Sequence, residues 1–153
     1  MAARLEQEYT RLPEDESAAE PLQVLYEDKY LLVSTKALVI KRYYFPSMGS
    51  RAIPWSKIEW VRMARDADVK WYALKEWGMG VGTIWWNCKA RLITRDRDSC
   101  CGLKVNGMAA IRATNIVVKV KGACIRPGSY VDRPEPAMAA IGRLIYRNHS
   151  HVD

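Results

Sequence analysis

Histidine is nearly absent from this sequence, and its only two copies, His149 and His151, stand at the far C-terminal end. A buried Ser-His or Cys-His pair therefore has no central imidazole to draw on. The four cysteines, Cys88, Cys100, Cys101 and Cys124, contain no C-x-x-C pair, which leaves out zinc-finger spacing. One adjacent pair also makes a poor disulfide framework, because neighbouring residues rarely reach bridge geometry. Cys88 and Cys124 are expected to be buried free thiols. Long apolar runs are missing as well. The longest charge-free stretch, 77–88, is far too short to span a bilayer and is broken by Gly78, Gly80 and Gly82. An acidic N-terminus is the reverse of a secretory signal. Internal repeats and low-complexity tracts are absent too. These absences predict a single cytoplasmic domain without metal or cofactor.

What is present is a 153-residue chain, 49% apolar and 27% charged, with a net charge of +7. That composition excludes a disordered chain and supports one real core. The charge is unevenly placed. Residues 1–20 hold six acids (Glu6, Glu8, Glu14, Asp15, Glu16, Glu20) and two bases (Arg4, Arg11), a net of −4 that leaves the remainder at +11. An acidic leader, 1–21, thus precedes a basic domain, 22–148, and a tail, 149–153. Leu5, Tyr9 and Leu12 share a helical face in the leader, but Pro13 ends any helix begun there.

From Leu22 onward the texture is that of short strands. Residues 29–35 (KYLLVST), 36–45 (KALVIKRYYF), 57–64 (KIEWVRMA), 70–77 (KWYALKEW), 83–88 (TIWWNC), 90–94 (ARLIT), 103–105 and 111–121 are rich in β-branched and aromatic residues. Pro46 to Ser50 supply a turn, and 95–99 read as a solvated, charged turn. With no room for crossover helices, the strands should pair mostly antiparallel. One helix is expected at the end of the chain. Asp132 is its expected N-cap, with Pro134 in the first turn and Glu135 completing a capping box. Met138, Ile141, Leu144 and Ile145 share one face, and Arg143 and Arg147 suit the negative C-terminal end. The fold class is therefore mainly β (α+β): about seven antiparallel strands in a bent sheet or barrel, capped by an amphipathic helix.

The run KYLLVSTKALVIKRYYFPSMGSRAIPWSKIEWV, 29–61, with Ile53-Pro54, Ile58 and Val61, resembles the opening of bacterial-type pleckstrin-homology-like (PH-like) domains. Trp77-Gly78-Met79-Gly80, Trp85-Trp86 and Arg91 are similar to a pattern in small members of that family. The resemblance covers roughly 24–147 and implies a PH-like barrel with a C-terminal helix. It implies no single ligand, since that fold serves lipid, peptide and protein binding.

Two constellations suggest binding. Lys29, Lys36, Lys41, Arg42 and Arg51 near the first hairpin would suit a phosphate group or simply form a basic face. Lys41 and Arg42 are adjacent, so on a strand only one of them can line a pocket. The second constellation is aromatic: Tyr43, Tyr44, Trp71, Trp85 and Trp86 lie near bases and would suit stacking or peptide capture, or would fill the core and rim. On a strand, Trp85 and Trp86 face opposite sides. The spacing of Gly78, Gly80 and Gly82 lacks the Lys-Ser/Thr and helix of a phosphate loop and reads as a bend. Catalysis has little support. Asp66 with Asp68 and Asp96 with Asp98 sit among bases in turn-like sequence, and Cys100-Cys101 near Arg95 and Arg97 has no activating histidine. The expected role is a non-catalytic module engaging a protein or peptide. The alternatives are anionic membrane lipids at the basic hairpin and, third, single-stranded nucleic acid.

Overall fold

In the computed structural model, residues 22–70, 73, 77–79, 83–88 and 114–149 are described. Among the described residues, nine strands form two sheets, followed by one helix. The first sheet is an antiparallel meander of β1 (Val24–Glu27), β2 (Leu31–Ser34), β3 (Ala37–Ile40) and β4 (Arg51–Pro54). A 3-10 turn, Trp55–Lys57, then leads into β5 (Ile58–Met63) and the second sheet. That sheet also contains β6 (Gly78–Met79), β7 (Ile84–Trp86), β8 (Asn115–Val120) and β9 (Arg126–Tyr130), in the order β5-β8-β9-β7-β6. The helix α1 runs from Pro134 to His149.

The main core lies between the two sheets and α1. Leu31, Val33, Leu38 and Ile40 of the first sheet meet Ile58, Ile116 and Val118 of the second, with Ala137, Ile141 and Leu144 of the helix closing it. Alternation along β8 explains a second core: Ile116, Val118 and Val120 face inward, while Val117 faces outward onto Ala64, Val69, Ala73, Ile84 and Trp86. The second sheet is thus covered on both faces. Trp85 and Trp86 do point to opposite sides of β7: Trp86 fills the outer core, and Trp85 packs against the inner one.

Several expectations are corrected. The described strands form two sheets of four and five strands and no closed barrel, because the chain passes from one sheet to the other through the 3-10 turn at Trp55. Pairing is antiparallel except for β7 and β9, which run parallel with Ile84 opposite Arg126. The strand Arg126–Tyr130 has no counterpart among the expected strands, and it contains Pro127 and Gly128, residues that strand interiors seldom hold. Its glycine is required by packing: a Cβ on Gly128 would lie 2.4 Å from the Trp86 ring. Strand β3 stops at Ile40, because Arg42 takes a positive φ of 55° and the Tyr43 N–H turns to the Gly49 carbonyl at 2.8 Å. Within 70–77, Lys70, Ala73 and Trp77 are not in a strand, and the Ala73 N–H closes a turn on the Lys70 carbonyl at 3.0 Å. The helix starts at Pro134, and the Asp132 carboxylate is engaged by Lys29 at 3.2 Å rather than capping it. Cys88 is a buried free thiol, whereas Cys124 is exposed in the β8–β9 turn. The leader, Trp71, the strands at 90–94 and 103–105, Arg91, Cys100-Cys101 and the Asp96/Asp98 turn lie outside the described residues. Among the described residues, no helix is long and apolar enough to cross a membrane.

Candidate functional site

The β3–β4 loop gathers the aromatic residues. It is closed tightly by its own backbone: Tyr43 and Tyr44 N–H groups both donate to the Gly49 carbonyl, at 2.8 and 3.0 Å, and Met48 N–H donates to the Tyr44 carbonyl at 2.8 Å. Two indoles then hold it from below. Trp85 donates its ring N–H to the Tyr43 carbonyl at 2.9 Å, and Trp77 reaches the same oxygen at 3.5 Å. The Tyr43 ring is buried, lies edge-on to Tyr44 (5.2 Å, 88°) and sits 6.3 Å from the Trp85 ring. Phe45 lies edge-on to Trp77 (4.9 Å, 66°). On this footing the outer rings stand in solvent, Phe45 67% and Tyr44 48% exposed; Met79, on β6, is exposed as well. Large apolar side chains placed together at a surface are the usual mark of a docking patch.

One cation belongs to this cluster. Arg51 donates to the Tyr43 hydroxyl at 2.7 Å, and its guanidinium lies 5.1 Å from the centre of that ring. Burial pushes the Tyr43 phenol above its ordinary pKa, while the neighbouring Arg51 pulls it down by less.

The basic residues singled out from the sequence do not converge on one pocket. Lys29, Lys41, Arg42 and Arg51 come together at the loop end of the first sheet, but Lys36 sits in the β2–β3 turn at the opposite end. Acids meet two of these four bases. Lys29 pairs with Asp132, and Lys41 bonds Glu27 Oε1 and the Asp28 carbonyl, both at 2.7 Å. Lys41 and Arg42 lie in a turn, not on a strand. Trp86 is fully buried and donates its N–H to the Ala73 carbonyl at 2.7 Å, so its ring is core and presents no face to a ligand. Trp85 is half-buried and supports the loop.

Two side chains fix this end. Asp28 Oδ1 accepts from the Tyr30 and Leu31 N–H groups at 2.7 Å each, and its Oδ2 from the Tyr26 hydroxyl at 2.6 Å and the Asp132 N–H at 2.9 Å. The Tyr26 hydroxyl in turn accepts the Arg133 N–H at 3.2 Å, which ties the start of α1 to the first sheet. Burial, followed by the bond to Asp28, raises the Tyr26 pKa to about 12. Asn87, fully buried, links the sheets: its Nδ2 donates to the Lys41 carbonyl at 3.0 Å and Ser129 Oγ at 3.2 Å, and its Oδ1 accepts the Tyr130 N–H at 3.0 Å.

The sequence reading missed Phe45 and Trp77 as members of this ring cluster. The usable signal was the Y-Y-F-P-S-M-G run, where a turn carries three consecutive rings. Asp66 and Asp68 are exposed and paired with Arg65 and Lys70 in a solvated turn. Among the described residues no group of three His, Cys, Asp or Glu side chains could hold a metal. No protein-family model, no curated protein and no solved structure matches this chain.

Proposed function

We propose that this chain is a non-catalytic binding module of the PH-like kind, which engages a protein or peptide through the aromatic platform around Phe45. The observation that carries this reading is the pairing of exposure with restraint. Phe45 and Tyr44 face solvent from a loop closed by backbone hydrogen bonds at Tyr43, Tyr44 and Met48 and held at the Tyr43 carbonyl by the indoles of Trp85 and Trp77. Covering the Phe45 ring would contribute roughly 1–2 kcal/mol, and a patch of such residues suffices for a peptide of ordinary affinity. The four-stranded meander and the closing helix support the PH-like part of this reading, although the described strands form two sheets and not the barrel the resemblance implies. The ion pairs of Lys29 and Lys41 weigh against a phosphate cup at the same end.

Selection of a phage-displayed random peptide library on the whole chain tests the reading. Peptides recovered should bind at least about tenfold more weakly to Phe45→Ala, a typical hot-spot loss, while the thermal midpoint stays within a few degrees. Equal binding by wild type, Phe45→Ala and Tyr44→Ala would reject the platform. Salt-sensitive cosedimentation with phosphatidylserine vesicles that Arg42→Glu abolishes would replace the peptide reading by a membrane one.

A further inference from the structure

The aromatic loop carries positive charge that the fold leaves uncompensated. From Lys41 to Arg51 the sequence holds three bases, Lys41, Arg42 and Arg51, and no acid. Lys41 is met by Glu27, and Lys29, at the same end, by Asp132. Asp28 gives both carboxylate oxygens to backbone N–H groups and the Tyr26 hydroxyl. These three acids are committed. Among the described residues, no carboxylate lies within ion-pair distance of Arg42 or Arg51.

Arg51 is the base built into the ring cluster. The register of β3 with β4 sets it opposite Ile40, where β3 ends and the loop begins. From there its guanidinium donates to the Tyr43 hydroxyl at 2.7 Å and lies 5.1 Å from the centre of that ring. Arginine has five N–H donors, and among the described residues its side chain makes no other hydrogen bond. Burial raises the Tyr43 pKa, so the hydroxyl stays neutral and does not balance the charge of Arg51. Arg51 is itself half-buried, which strips part of its water and strengthens its pull on an anion.

The exposed rings begin one step farther out. Tyr44 lies 5.2 Å from Tyr43, and Phe45 follows it in the chain. In an extended peptide, side chains two positions apart share a face and stand about 7 Å apart. A peptide that lays an apolar side chain on these rings therefore brings a neighbour on the same face within reach of Arg51. A planar carboxylate fits the guanidinium fork through two parallel hydrogen bonds.

We infer that the occupant of the aromatic platform is an acidic peptide: an apolar anchor rests on Phe45 and Tyr44, and an Asp or Glu about two positions from it pairs with Arg51. The inference rests on the platform reading and adds to it the charge of the partner and the residue that selects it.

Panning a phage-displayed random peptide library in parallel on the wild-type chain and on Arg51→Gln tests it. Wild-type pools should be enriched in Asp and Glu beside the apolar anchor, and Arg51→Gln pools should keep the anchor and lose the acid. In a synthetic peptide from the wild-type pool, replacing the acid by its amide should weaken binding about tenfold, the scale of one charge-assisted pair. That change leaves the protein untouched, so a folding defect cannot produce it. The same replacement should leave binding to Arg51→Gln nearly unaltered, because both losses belong to one pair. Arg51→Lys, with the charge and without the fork, should recover part of the affinity. Peptides that need Phe45 and show no acid preference would overturn this inference and leave the platform standing. Equal acid enrichment on Arg51→Gln would also overturn it, as general attraction to a basic chain. No peptide from either selection would overturn both readings. Cosedimentation with phosphatidylserine vesicles that Arg51→Gln abolishes, without acid preference among peptides, would put a membrane in the peptide's place.

Discussion

At the end of the first sheet that carries the aromatic loop, side chains do the tying. Asp28 uses both carboxylate oxygens to hold the β1–β2 turn and the approach to α1, Asn87 clasps the two sheets, and acids meet the lysines. At the opposite end backbone bonds join Lys121 to Lys57 and Thr35 to Gln23, short uncharged side chains and an indole (Ser34, Thr35, Trp55) complete the closure, and the Lys57 and Lys121 side chains are exposed. The contrast separates two kinds of positive charge. Lysines at the loop end are spent on the fold's own architecture, whereas Lys57 and Lys121 do no structural work and set the electrostatic character of their surface.

Three substitutions or conditions press on that contrast. Asn87→Ala should have the largest effect, since it orphans the buried Tyr130 N–H and Lys41 carbonyl. At about 1–3 kcal/mol for each stranded group, urea denaturation should show a loss of roughly 3 kcal/mol; a loss below about 1 kcal/mol would mean that the two sheets hold together without this clasp. Alkaline pH comes next. The Tyr26 phenol stays neutral in the fold to about pH 12, whereas an unfolded phenol ionises near 10. The stability it contributes is therefore complete below pH 10 and is lost as pH rises from 10 toward 12. Tyr30 and Tyr43, also raised by burial, add to the same trend. Denaturation midpoints measured between pH 9 and 12 should fall less steeply in Tyr26→Phe than in wild type; parallel curves would remove Tyr26 from the account. The smallest effect belongs to Lys57→Glu/Lys121→Glu, which should shift unfolding stability by no more than about 0.5 kcal/mol. A larger loss would show that the far end is structural after all.

Much of the fold could be read in the residues. Runs rich in β-branched and aromatic residues mark β2, β3, β5 and β8 within a few residues, and the closing helix is visible from Pro134 and the Met138–Ile145 stripe, because these signals are local. What escaped was set by contacts distant in sequence. The strand at Arg126–Tyr130 looks like a turn until Trp86 is placed over Gly128. The parallel pairing of β7 with β9 depends on which strand leaves the sheet, which no window of sequence records. The membership of the aromatic cluster was less legible: Trp86 lies in the outer core, whereas Phe45 is exposed with half-buried Trp77 beside it. Five hairpin bases looked like one cluster because they are close along the chain; strand direction sends Lys36 to the other end.

One oxygen atom has a consequence beyond its hydrogen bonds. The Tyr43 carbonyl receives two indole donors, so both of its lone pairs are committed while the loop keeps its shape. A peptide of the kind proposed, settling on Phe45, would meet a loop backbone already held in place and would lose little configurational freedom in ordering it. Recognition there should follow lock-and-key behaviour, with affinity among related peptides governed by how slowly each one leaves.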